Sequence, residues 1–117
     1  MVTFYGYAKC STCRKAKAYL QQRGMALKEV DITTTPPPKA LLQALLASGA
    51  YRITDLFNRS GEMYRELDMK NQMKRLGESA LLDLLAKHGK LVKRPIITDG
   101  TRVTIGFDEA RLKNVWK

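Results

Sequence analysis

Cys10-Ser11-Thr12-Cys13 holds both cysteines of this chain and stands where a β-prone segment gives way to an amphipathic helix. Val2-Thr3-Phe4-Tyr5 alternates as a strand does, and Gly6 breaks the run. Ser11 is positioned to cap a helix whose apolar stripe passes through Ala16 and Leu20. A strand that feeds a helix through so short a loop sets the thiol of Cys10 against the unpaired amides of the first helical turn.

Gly24 closes the first helix, and residues 27–32 supply a second strand. Pro36-Pro37-Pro38 marks a helix entrance, after which Leu41, Leu42, Leu45 and Leu46 recur at helical spacing until Gly49. Residues 53–67 are mixed, with a short helical stretch ending near Leu67. Glu78-Ser79 opens a helix whose Leu81, Leu82, Leu84 and Leu85 face inward, closed by His88-Gly89. Ile96-Ile97-Thr98 and Val103-Thr104-Ile105, joined through Asp99-Gly100, read as a hairpin. Asp108 then caps a last helix, with Phe107 packing on Leu112 as a staple and Val115 and Trp116 continuing the buried face. The order β-α-β, helices, β-β-α shows no repeat and no linker. It predicts a single α/β domain over residues 1–117 with a helical insertion at about residues 36–92.

The charge is lopsided. The chain carries 21 Lys and Arg against 11 Asp and Glu, a net +10, and residues 1–28 contain Lys9, Arg14, Lys15, Lys17, Arg23 and Lys28 with no acid. Such a face lowers thiol pKa values and attracts oxyanions, glutathione carboxylates or acidic protein surfaces. Direct nucleic-acid binding is not expected, because aromatic RNA-binding signatures, zinc-finger spacing and basic low-complexity arms are all missing. The start of the chain does not read as a secretion signal, and no stretch approaches a membrane span, so the expected setting is cytoplasmic and free of membranes.

In a reducing compartment a close cysteine pair is redox-active or metal-binding far more often than structural, and the loop it would close is too short to brace this chain. A zinc site needs further ligands, and His88 is better explained by the C-terminus of its helix. No metal and no bound cofactor are therefore expected, with glutathione or another thiol as external reductant. Cys10, flanked by Lys9 and Arg14, is the expected attacking thiolate. Cys13, in the first helical turn, is the expected resolving thiol. Arg94-Pro95 leads straight into the strand Ile96-Ile97, a first-strand position at which proline forfeits no ladder hydrogen bond.

These segments together resemble the arsenate reductase/Spx-like family of small thioredoxin-fold proteins. The resemblance rests on Val2-Thr3-Phe4-Tyr5 leading to Cys10-Ser11-Thr12-Cys13-Arg14-Lys15-Ala16, on Tyr64-Arg65-Glu66-Leu67, on Arg94-Pro95-Ile96-Ile97 and on Gly106-Phe107. It implies a thioredoxin-like, glutaredoxin-type, four-stranded mixed sheet with the helical insertion between its second and third strands. It further implies a cis-proline at Pro95 that abuts the active cysteine and sets Arg94 beside Cys10. Arsenate reductases of this type use arginines to bind the oxyanion. Arg94 matches one, while Asn58 and Gly106 fall where others are expected, which argues against arsenate turnover and leaves Asn58 as a substrate-binding position. Spx-type regulators share the dithiol as a redox switch and bind the RNA polymerase α subunit, although Arg52 aligns near their polymerase-contacting glycine. The function expected is thiol-disulfide oxidoreduction by Cys10, Cys13 and Arg94, with Lys9, Arg14, Asn58 and Pro95 at the substrate and with glutathione or thioredoxin as partner. The alternative is a redox-sensing regulator that binds RNA polymerase.

Overall fold

The computed structural model describes residues 1–116 and divides into two compact units: Met1–Asp31 together with the segment from Arg94 onward, and Ile32–Lys93. The first unit carries a four-stranded sheet in the order β2-β1-β3-β4. Its strands are β1 (Val2–Gly6), β2 (Leu27–Asp31), β3 (Ile96–Thr98) and β4 (Val103–Ile105). β1 pairs in parallel with β2, Phe4 opposite Glu29, and antiparallel with β3, Phe4 opposite Ile97. A parallel pair needs a crossover, and α1 (Ser11–Gln22) provides it. The sheet is mixed and the fold thioredoxin-like, as the family resemblance implies.

Cys13, Ala16 and Leu20 recur at helical spacing and form the buried side of α1. They join Phe4, Ile97, Leu112 and Trp116 in one core cluster, with Phe107 and Val115 packed against it. The C-terminal end of α1 passes into Gly24 at φ +76°, which donates its amide to Gln21 O. The hairpin turns at Gly100 (φ +95°), and Asp99 Oδ1 accepts from the amides of Thr101 (2.9 Å) and Arg102 (2.7 Å). Asp108 caps α6 (Glu109–Val115) by accepting from the Arg111 amide at 3.2 Å. The buried indole of Trp116 donates Nε1–H to Thr104 Oγ1 at 3.0 Å.

The N-cap of α1 is Cys10 and not Ser11. Cys10 has extended backbone angles, φ −96° and ψ 115°, and its sulfur accepts from the Cys13 amide, while Ser11 is already helical. The second strand likewise stops at Asp31, one residue before Ile32, which is buried.

In the second unit α2 (Lys39–Ala47) buries Leu42 and Leu45, and α5 (Glu78–Lys87) buries Leu81, Leu82 and Leu85. Lys39 Nζ ties the two together through Asp83 (2.7 Å) and Ser79 Oγ (3.1 Å). The mixed segment contains a 3₁₀ turn at Ile53–Leu56 and α3 (Glu62–Glu66). A further helix, α4 (Met69–Arg75), is not announced by periodicity, since Met69 is its one buried residue. Gly89 does not end α5 through a left-handed conformation. A Cβ there would lie 1.7 Å from Ile32 O, so glycine is required because two backbones meet. Phe57 and Val92 form an antiparallel bridge, flanked by Asn58 N–H to Leu91 O (2.7 Å) and Lys93 N–H to Leu56 O (2.9 Å).

Candidate active site

The loop from β1 to α1 folds back on itself, with the Cys10 amide donating to Tyr7 O at 3.1 Å. Cys10 is thereby held in an extended conformation at the helix entrance, where its carbonyl accepts from Arg14 N at 3.1 Å and its Sγ accepts from Cys13 N at 3.3 Å. A sulfur doing the work of a capping side chain is stabilised as thiolate, because the orphan amides and the positive end of the helix face it. Partial burial opposes ionisation of Cys10. It is outweighed by hydrogen bonds from the side chain and amide of Cys13, the charge of Arg94 and the amide of Thr12, so the pKa falls below its ordinary value.

Cys13 is its opposite. Its side chain is buried between α1 and β1, and burial, followed by its hydrogen bond to Cys10, pushes its thiol up to about 12. The two sulfurs thus differ sharply in ionisation, one exposed enough to meet a substrate and one kept protonated behind it. Gly6 makes room for this arrangement: a Cβ there would lie 2.5 Å from Phe4 Cε1 and 3.4 Å from Cys13 Sγ.

Arg94 is half-buried, and its guanidinium carbon lies 5.4 Å from the centroid of the Tyr7 ring, within cation–π range. The Arg94–Pro95 peptide is cis, and Pro95 is buried with its carbonyl accepting from Gly106 N at 2.8 Å. Arg14 is exposed and donates from Nη1 to Ala8 O at 3.4 Å, and Lys9 is exposed on the loop itself. Cys10, Cys13, Arg94, Pro95, Lys9 and Arg14 all belong to the first unit, whereas Asn58 belongs to the second. There Asn58 Oδ1 accepts from Ser60 Oγ at 3.4 Å, and its Nδ2 would be crowded to 2.6 Å by a Cβ on Gly61.

Two contributors escaped the sequence reading. Tyr7 beneath Arg94 and Gly6 beside Cys13 carry no spacing signal, because each matters through a contact made only when β1, α1 and the Arg94 segment are assembled. Among the described residues no three His, Cys, Asp or Glu side chains gather as metal ligands, and no helix is long and apolar enough to cross a membrane.

A mixed four-stranded sheet with a pair of cysteines at the entrance of its first helix defines a thioredoxin-fold protein. The chain belongs to the ArsC family, whose pattern matches residues 5–115. It is 44% identical over 115 residues to the uncharacterized protein YusI of Bacillus subtilis, covering 98% of each chain. It is 33% identical over 113 residues to the global transcriptional regulator Spx of Streptococcus pyogenes, covering 97% of this chain and 83% of Spx. A solved structure from Streptococcus mutans, described as a possible arsenate reductase, superposes with a TM-score of 0.85 at 35% identity, covering 97% of this chain and 98% of the other.

Proposed function

We propose that the protein is a cytoplasmic thiol-disulfide oxidoreductase that works through its Cys10–Cys13 dithiol. The observation that carries this reading is the divergence of the two thiols: Cys10 Sγ caps α1 at 3.3 Å from the Cys13 amide with its pKa lowered, while Cys13 is held up to about 12. In the first step the Cys10 thiolate attacks one sulfur of a substrate disulfide, forming a Cys10 mixed disulfide and expelling the other half as a thiolate. Arg94, whose charge favours anionic sulfur at this site, stabilises the negative charge as it moves. Cys13 then attacks the Cys10 sulfur, giving up its proton to the departing thiolate, and the Cys10–Cys13 disulfide closes. Two external thiols, from glutathione, another small thiol or a thioredoxin, return the dithiol and leave as a disulfide. Lys9 and Arg14 draw an anionic substrate to Cys10, and Pro95 bounds its seat.

The experiment is a steady-state assay with the mixed disulfide of glutathione and 2-mercaptoethanol, and separately with arsenate, on wild type, Cys10→Ser, Cys13→Ser and Arg94→Ala. Turnover of the disulfide, lost in Cys10→Ser, is expected. Full activity in Cys10→Ser refutes the mechanism, and retained activity in Cys13→Ser signals a monothiol route with glutathione as resolver.

A second reading is favoured by the 33% identity to Spx: the same dithiol governs binding to the RNA polymerase α subunit. Identical affinity of the reduced and oxidised protein for the C-terminal domain of that subunit would exclude it.

A further inference from the structure

Beside the buried sulfur lies a cavity of about 380 Å³ between α1 and β2, within the first unit. Its size falls in the range of roughly 300–1,000 Å³ typical of small-molecule sites. Gly6, Tyr7 and Cys13 line one part of it, Arg14 and Lys17 a second, and Glu29, Val30 and Asp31 the edge strand opposite. Cys10 does not line it. The gap reaches Cys13 because Gly6 has no side chain, since even a methyl group there would stand 3.4 Å from Cys13 Sγ. Cations project from α1 and carboxylates from β2, with Lys17 Nζ and Glu29 Oε1 paired at 3.0 Å. A ligand with both an ammonium and carboxylates, such as a small thiol peptide, matches walls of both signs.

We propose that this cavity is the entry site of a small zwitterionic thiol that regenerates the oxidised protein by attacking the sulfur of Cys13. The inference rests on the dithiol reading and names the reductant of that same centre. In the first step the thiolate of the small thiol bonds to Cys13 Sγ, the Cys10–Cys13 bond breaks, and the electron pair leaves on Cys10. In the second, another thiolate attacks the sulfur of the adduct, releases the small-molecule disulfide and leaves Cys13 to take up a proton. Two thiols are oxidised and one protein disulfide is reduced. The direction has a chemical reason. In thiol–disulfide exchange the sulfur that leaves faster is the one with the lower pKa, and helix capping by Cys10 Sγ makes it the better leaving group. Oxidised substrate meets Cys10 from solvent and reductant meets Cys13 from the cavity, so the two half-reactions use different faces.

The test uses the full-length protein oxidised to its intramolecular disulfide, verified by intact mass. Reduced glutathione is added, the mixture is quenched within milliseconds to seconds by iodoacetamide, and the cysteines are mapped by peptide mass. Glutathione on Cys13 with a carbamidomethyl group on Cys10 at the earliest times is the expected result. Glutathione on Cys10 with Cys13 alkylated overturns the inference and leaves the dithiol mechanism standing. Failure of the intramolecular disulfide to form refutes the dithiol mechanism itself, and the inference with it. Glu29→Trp, placed on the face of β2 that meets Lys17 of α1 and therefore filling the cavity, is expected to slow reduction by glutathione at least tenfold while leaving reduction by dithiothreitol within twofold. An unchanged glutathione rate in a folded Glu29→Trp protein also overturns the proposal.

Discussion

Gly6→Ala is expected to destabilise the fold by about 1–2 kcal/mol, the balance of an overpacking cost and a smaller entropic gain. An ideal Cβ on Gly6 lies 2.5 Å from Phe4 Cε1 and 3.1 Å from Phe4 Cδ1, whereas carbon atoms pack at about 3.5–4.0 Å. The ring must retreat by about 1 Å to restore contact distance. It has little freedom to do so, because Phe4 is buried among Cys13, Ala16, Leu20, Ile97, Leu112 and Trp116. Overpacking of this kind costs about 1–3 kcal/mol, and stiffening the unfolded chain returns about 0.4–1 kcal/mol because Gly6 lies in a strand without positive φ. The assay is urea unfolding followed by the fluorescence of Trp116, the single tryptophan and a fully buried one. The midpoint should fall with an unchanged slope. Phe4→Leu removes the atoms that clash, so the double variant should recover at least about 1 kcal/mol relative to the sum of the single effects. A Gly6→Ala protein as stable as wild type, or strictly additive effects, would refute the claim that Gly6 exists to let Phe4 and Cys13 pack.

Arg94→Ala should lower the second-order rate of disulfide reduction about tenfold or more, since a charged group that favours anionic sulfur is lost; Arg94→Lys should recover part of it, and an unaltered rate removes Arg94 from the mechanism. Cys13, held at about 12 in the fold against about 8.5 in the unfolded chain, contributes stability that is complete below about 8.5 and declines as pH rises toward 12, because the unfolded chain sheds a proton the fold retains. The stability gap between wild type and Cys13→Ala should therefore narrow from about pH 8 to about pH 10, and a constant gap contradicts it. Cys10 has the opposite sign, its lowered pKa giving stability that is present above about 8.5 and lost as pH falls through the folded value. Thr104→Val should cost about 1–3 kcal/mol in urea unfolding by orphaning the buried Trp116 Nε1–H, and Thr104→Ser much less; equal stabilities of the two variants would deny the bond its role.

Much of the architecture is readable locally. The strand before Gly6, the α1 stripe through Ala16 and Leu20, the leucines of α2 and α5, the hairpin at Asp99-Gly100 and the Asp108 cap each depend on a few consecutive residues, and each sits where periodicity and turn chemistry put it. The misplaced features have nonlocal causes. Ser11 looks like the cap by residue type, but the turn from Cys10 N to Tyr7 O sets the extended backbone one residue earlier and hands the role to a sulfur. Gly89 looks like a helix terminator, but its lack of a Cβ answers to the carbonyl of Ile32. Helix α4 escapes notice because a segment that buries one residue carries no period.

The amino-acid sequence by itself determined that two thiols would stand at the entrance of the first helix, followed by a helical insertion and a closing hairpin, because strand alternation, helix stripe and turn residues act over short range. Only the tertiary structure decided what surrounds the two thiols beyond the helix entrance. Burial of Cys13 against β1 and the charge of Arg94 arriving from a distant segment are functions of distance in space. Desolvation and Coulomb interaction have no expression in sequence spacing, so the raised pKa of Cys13 and the cation acting on Cys10 appear only once the sheet is assembled.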